Sequence, residues 1–267
     1  MSKPIIASPF SDAARELSSD WSKLITVEVG GTEPEVSSQT VNIDYGVTRT
    51  FSVYEDLFRA QSPFFEAALG RDFIEAKDRV VKLPEHTPEA FDVYLRWTYS
   101  YRIFIPGMIG CTDSGNDMKT VNCTETERNV FSIICRAYIL GDVLQDSQFK
   151  DALMDALIEQ TKECASWPTE EVKYVYGNTM SDAPIRCLLV SMAGTGCVGR
   201  SWLGQRGGDF YDEADRKYST IDFLCDVMRI ADERLRGVVN NLRWREETCR
   251  FHEHGPRECY KAKLGID

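Results

Sequence analysis

The chain has 267 residues, a hydrophobic share of 43%, a charged share of 27% and a net charge of −11. Those values describe a globular chain with room for one large domain or two smaller ones. They argue against nucleic acid as a partner, because phosphate recognition needs a basic footprint. No apolar run approaches the roughly 18 residues a membrane span requires, so no membrane association is expected.

The first twenty residues are polar and small, and read as a flexible N-terminus. With one Lys and no long apolar core, they do not resemble a secretory leader. The nine cysteines are odd in number and irregularly spaced. Reduced thiols in the cytoplasm or nucleus fit that pattern best.

Leu24 to Val29 is a β-branched run stopped by Gly30-Gly31, the pattern of a strand and turn. A polar loop follows over 32–39, and Val41 and Ile43 hint at a weak strand. Phe51 to Phe58 reads as a strand turning into a short helix. Its Phe51-Ser52-Val53 segment is expected to pair with one of the earlier strands. Ser62-Pro63 opens a second helix that places Phe64, Phe65, Ala68 and Leu69 on one face. Val80, Val81 and Leu83 form a short apolar run. Thr87-Pro88-Glu89 then starts a helix with an N-cap, a proline at the first position and an acid in the first turn. Phe91, Tyr94, Leu95 and Thr98 line its apolar face, with Trp97 and Tyr99 beside them.

Ile105 to Cys123 carries turn formers without a period and reads as a surface loop. Thr124 and Glu127 make a capping box. Two helices of about fifteen residues each follow, on Val130, Ile133, Ile134, Ala137 and Leu140, then on Phe149, Leu153, Ala156 and Leu157. After Cys164 a helix starts at Trp167-Pro168-Thr169, and another follows Pro184. The segment 194–213 is glycine-rich and irregular. A last helix is expected from Ser219 to Arg245. Its Ile221, Leu224, Met228, Ala231 and Leu235 stand at near-heptad spacing and are read as a face packed on the chain's own core.

The stretch from Val53 to Tyr99 resembles the BTB/POZ domain family. Val53, Phe58, Ser62 and Phe65 match the spacing of that family's Val-His-Lys…Leu…Ser…Phe pattern. Phe73-Ile74-Glu75 meets its Phe-x-Glu, and Val81-Lys82-Leu83 meets its short Ile-x-Leu strand. Phe91, Tyr94, Leu95, Trp97 and Tyr99 meet its Phe…Tyr-Leu…Tyr helix. The match covers roughly residues 20–163, and the wider layout looks like fungal BTB proteins of this length. The resemblance implies an α+β fold: a BTB/POZ-like domain with a small sheet flanked by helices over 21–163, then an α-helical C-terminal region over 164–248 and a Cys/His tail over 249–267. It implies a non-enzymatic protein–protein interaction module, a scaffold or adaptor that recruits another protein or a second copy of itself. Within that class the alternative is a substrate adaptor of a cullin-type ubiquitin ligase. The family's charged His-Lys pair is Tyr54-Glu55 here, so the pocket that repressor members use at their dimer interface is not carried over. The family's Thr-Gly at the end of the third helix is Ser100-Tyr101.

Two motifs carry candidate chemistry. Cys249, His252, His254 and Cys259 stand as C-x2-H-x-H-x4-C. Two thiolates and two imidazoles suit a tetrahedral structural zinc, the one cofactor this chain suggests. His252 and His254 would diverge on a helix, so a site requires extended or looped backbone. The bland alternative is a polar tail. Gly194-Thr195-Gly196-Cys197-Val198-Gly199 is formally G-x-G-x-x-G. A nucleotide-binding enzyme would need a strand before it and a helix after it, and the glycine-rich continuation favours a plain turn. His86 sits in a turn and reads as a surface histidine. Residues 229–263 hold nine Lys/Arg against six Asp/Glu, a mildly basic stretch that reads as solvated helix surface.

Overall fold

The computed structural model describes residues 22–31, 47–70, 73–108, 125–164, 167–195, 219–237, 244–254 and 259–265. The expected weak strand at Val41–Ile43, most of the loop after Ile105, and the Thr124–Glu127 capping box lie outside the described residues or side chains. The protein is mixed α/β, with a small three-stranded sheet and a majority of helices. Among the described residues no helix is long and apolar enough to cross a membrane.

The sheet is built from β1 (Leu24–Val29), β2 (Arg49–Tyr54) and β3 (Val80–Leu83), in the order β2-β1-β3. β2 runs antiparallel to β1, with Ile25 opposite Val53, and β3 runs parallel to it, with Val27 opposite Val81. Side chains alternate faces along a strand, so Ile25, Val27 and Val29 all enter the core. Gly30 ends β1 at φ +94, where a Cβ would run into the Val47 carbonyl.

The helices α1 (Glu55–Gln61) and α2 (Pro63–Leu69) meet at Ser62. Its hydroxyl accepts from the Phe65 N–H at 3.3 Å and donates to the Leu144 carbonyl at 2.7 Å. One buried side chain therefore caps a helix and ties it to a distant one. Phe58 packs against Phe65, Phe91 and Tyr94 with ring centroids 5.2, 6.1 and 5.8 Å away. At the position of the missing His-Lys pair, Glu55 takes the Arg79 guanidinium at 2.7 Å and Arg59 at 3.3 Å.

After α3 (Ile74–Asp78), α4 (Pro88–Ser100) begins under a Thr87 cap that accepts from the Ala90 N–H. Trp97, expected beside the apolar face, is part of it: its ring sits 6.0 Å from Phe149 and 5.9 Å from Tyr260. Tyr101 closes α4 in the left-handed region at φ 53, where glycine is the usual choice. Its ring lies 5.3 Å from Trp97, a contact that helps hold a residue in a conformation costing roughly 1 kcal/mol.

The helices α5 (Glu125–Leu144) and α6 (Ser147–Cys164) span 20 and 18 residues, longer than their apolar repeats suggested. Between them Asp146 caps α6, accepting from the Phe149 N–H at 2.9 Å, and takes the Gln61 amide at 2.8 Å.

The C-terminal region adds a 3-10 turn (Thr169–Glu171), α7 (Val172–Asn178), α8 (Pro184–Thr195) and α9 (Ile221–Leu235). Trp167-Pro168 thus opens a 3-10 turn before the helix proper. Gly194 and Thr195 end α8, so a helix stands where a dinucleotide fingerprint needs a strand; 196–199 lie outside the described residues. α9 ends at Leu235, ahead of Gly237 at φ +70, and 238–243 of the helix expected to reach Arg245 lie outside the described residues. Its heptad stripe faces the core only in part: Leu224 packs against it, whereas Ile221, Met228 and Leu235 are exposed, and Phe223 and Val227 outside the stripe are buried. Arg136 on α5 reaches Glu171 at 3.5 Å, both side chains almost fully buried, and its guanidinium lies 4.2 Å from the Tyr174 ring centre. One contiguous buried cluster runs from Ile25 through to Tyr260.

His86 is half-buried rather than a surface residue, and burial pushes its imidazole down to about 4. A histidine whose folded value lies below its unfolded value of about 6.5 contributes stability above pH 6.5, and that stability is lost as pH falls towards 4. The expected loss across that window is roughly 3 kcal/mol. Urea unfolding at pH 7 and pH 4.5 should show a His86→Asn variant with a correspondingly flatter pH dependence. Equal slopes for the variant and the parent would contradict this.

Candidate metal centre

Cys249 sits in a short 3-10 turn (Thr248–Phe251) in which the His252 N–H reaches back to the Cys249 carbonyl at 3.2 Å. His252 then leaves in extended backbone, φ −91 and ψ 155. On an extended chain residues two apart share a face, so His252 and His254 converge, with ring centroids 5.3 Å apart. This is the looped arrangement the motif requires. Cys259 follows as the N-cap of α10 (Tyr260–Leu264).

One donor atom from each of Cys249, His252, His254 and Cys259 lies within 4.8 Å of every other. The sulfurs are 3.9 Å apart, and Cys259 Sγ is 3.6 Å from His252 Nδ1. Tetrahedral zinc, about 2.3 Å from sulfur and about 2.0 Å from nitrogen, separates two sulfurs by about 3.8 Å and sulfur from nitrogen by about 3.5 Å. The two distances are those of the edges of such a tetrahedron. Burial and the adjacent Cys259 sulfur push the Cys249 thiol up. Two thiolates held this close need a cation between them, which is the role a divalent metal fills.

The elements beneath the cluster aim its ligands. His252 Nε2 lies 3.3 Å from Asp155 Oδ1 on α6, which leaves Nδ1 directed at the sulfurs. Asp155 Oδ2 accepts from the Tyr260 hydroxyl at 2.7 Å and pairs with the Lys261 ammonium at 2.9 Å. Burial alone would raise its carboxyl. His252, Tyr260 and Lys261 more than reverse that and hold it at about 2. One turn earlier, Asp151 accepts from the Glu253 N–H at 2.6 Å, and the Glu253 carboxylate meets Lys150 at 2.5 Å and the Tyr138 hydroxyl at 3.2 Å. The tail is therefore seated on α6 by a ladder of acids and bases, and Tyr260 rests its ring near Trp97.

The motif supplied the four donors but not Asp151 and Asp155. Their one visible signal is the i, i+4 spacing, which puts both carboxylates on one face of α6. Asp155→Asn should weaken zinc binding about 10- to 100-fold while the fold persists, read by competition against a chromophoric chelator. Unchanged affinity would remove Asp155 from the site.

The candidate nucleotide glycines build no comparable constellation among the described residues. His86 follows β3 and is not part of the cluster. Comparison with known protein families and with curated proteins gives no match.

Proposed function

We propose that this chain is a non-enzymatic protein–protein interaction module of the BTB/POZ kind, a scaffold or adaptor extended by a helical region and closed by a structural zinc. The observation that carries the reading is the placement of the residues that resemble the family. Val53, Phe58, Ser62, Phe65, Val81, Leu83, Phe91, Tyr94 and Trp97 are all buried, around a β2-β1-β3 sheet. Burial at these positions supports the reading, while Leu95 and Tyr99 of the same pattern are only partly buried. Among the described residues most of the aromatic rings are buried. Phe73 and the adjacent Ile74 are not: they are 49% and 68% exposed beside a groove of about 500 Å³ between α2, α3 and β3. Exposed apolar groups beside a groove are the usual material of a protein contact.

The zinc supports that scaffold and takes no part in a reaction. Four protein donors leave no open position for a substrate or an activated water. The site's work is to fix the tail on α6.

Affinity capture with the intact, zinc-loaded chain tests the reading, with a purified cullin amino-terminal domain as one defined arm. A stoichiometric protein partner lost on Phe73→Asp/Ile74→Asp, with the melting temperature retained, is the expected result. A thermal shift with NAD, NADP or ATP, worth about 2.7 kcal/mol at 100 times Kd, in a protein that captures no partner would overturn it in favour of an enzyme.

A further inference from the structure

The cluster at the tail holds two cysteines of unequal access. Cys249 is exposed and Cys259 half-buried, and their sulfurs stand 3.9 Å apart. On the other side of Cys259, His252 Nδ1 lies 3.6 Å from its sulfur, and His252 Nε2 lies 3.3 Å from Asp155 Oδ1. Cys259 is thus set between an imidazole seated on α6 and a thiol open to solvent. Cys135 on α5 is a contrast: it is fully buried and closed to any dissolved oxidant. A disulfide holds its sulfurs about 2.05 Å apart, so joining Cys249 to Cys259 asks for a closure of roughly 2 Å shared by two side chains.

We propose that Cys249 and Cys259 are a reversible dithiol–disulfide pair, in which oxidation by a hydroperoxide joins the two sulfurs and withdraws both from the metal. This regulation belongs to the zinc site described above and rests on that reading. A coordinated thiol is held as thiolate, the form that attacks peroxide. The exposed Cys249 sulfur attacks one peroxide oxygen, and the O–O bond breaks. Cys249 becomes a sulfenic acid, and the departing hydroxide takes a proton from solvent to leave as water. The Cys259 thiolate, already in contact, attacks the sulfenic sulfur. The S–S bond forms, the S–O bond breaks, and a second hydroxide is protonated to water. Two electrons pass from the two sulfurs to one peroxide.

Capture by Cys259 stops Cys249 short of the irreversible sulfinic acid. With both thiolates consumed, the site falls from four donors to two imidazoles, too few for a closed structural site. The bridge spans the same two residues, so the tail exchanges one closure for another. A dithiol reductant returns both thiols by thiol–disulfide exchange, and with them the four-donor site.

Hydrogen peroxide added to the full zinc-loaded chain, beside a chromophoric zinc indicator, tests the exchange. One zinc per chain should be released as two free thiols are lost, and peptide mapping should find Cys249 linked to Cys259. Dithiothreitol should then restore both thiols and stoichiometric zinc uptake. Cys225→Ser, which alters another exposed cysteine, should respond as the parent does. Cys259→Ser, oxidised without metal, should stop at a Cys249 sulfenic acid that dimedone captures, where the metal-free parent goes on to the disulfide. A chain that keeps its zinc, with Cys249 and Cys259 intact while Cys225 is oxidised, overturns the exchange and leaves the zinc reading standing. So does zinc release in which Cys249 is carried to sulfinic acid or linked to a cysteine other than Cys259. A chain that holds no zinc before peroxide is added overturns the zinc reading and the exchange together.

Discussion

Replacing Cys249 and Cys259 together with serine should abolish zinc binding and release the tail from α6, while the sheet and α1 to α6 stay folded. The separation of effects follows from where the buried area lies. The tail contributes Phe251 and Tyr260 to the core, and its approach contributes Trp244. At about 1.5–3 kcal/mol for each large apolar side chain, undocking the tail costs on the order of 5 kcal/mol locally. The rest of the buried cluster does not pass through the metal. Small zinc domains without metal unfold outright; a zinc held by this cluster would instead staple a segment onto a core that already exists. Hydrogen exchange should show Ala152–Ile158 losing protection in the double variant and in chelator-treated parent protein alike. Cys225→Ser, an exposed cysteine on α9, should bind zinc as the parent does. Retained protection over 152–158 after complete loss of metal would show that the salt-bridge ladder alone holds the tail.

Arg136→Met should destabilise the whole fold by about 3–5 kcal/mol, because it removes the Arg136 guanidinium from a pair with buried Glu171. The pair joins α5 to the 3-10 turn that begins the helical C-terminal region. Loss of one member therefore acts on the junction between the two halves. Adding Glu171→Leu should recover most of the loss, since an apolar pair of similar volume replaces a buried ion pair at little cost. The double-mutant cycle, read by urea denaturation, separates this from simple loss of packing against Tyr174. A single variant within about 1 kcal/mol of the parent would mean the junction is held by packing alone.

These two sites mark the limit of what the sequence made legible. Local signals read well. Ser62 and Thr87 announce helix starts through the proline beside each, and β1 announces itself by its β-branched run. Contacts across long separations did not. Nothing near Arg136 points to Glu171, and nothing near His252 points to Asp155, because each partner is set by how helices pack. The α9 helix shows the same limit more sharply. Its sequence carries two apolar rows, 221/224/228/231/235 and 223/227/230, and periodicity gives both. Only the rings of Trp167 and Tyr176 against Phe223 decide which row is covered, and they cover the one with the less regular spacing. The metal motif was legible as chemistry, two thiols and two imidazoles, and not as geometry. Its spacing fits no common finger, and convergence of the two histidines depends on the extended backbone at His252.

The most direct test of a scaffold closed by zinc is the metal itself. Elemental analysis of the purified full-length chain, with X-ray absorption at the zinc edge, should find one zinc per chain. The metal should carry two sulfur neighbours at about 2.3 Å and two nitrogen neighbours at about 2.0 Å. Protein that purifies folded with no stoichiometric zinc, takes up none when offered it, and has Cys249 and Cys259 freely reactive to a thiol reagent would contradict it.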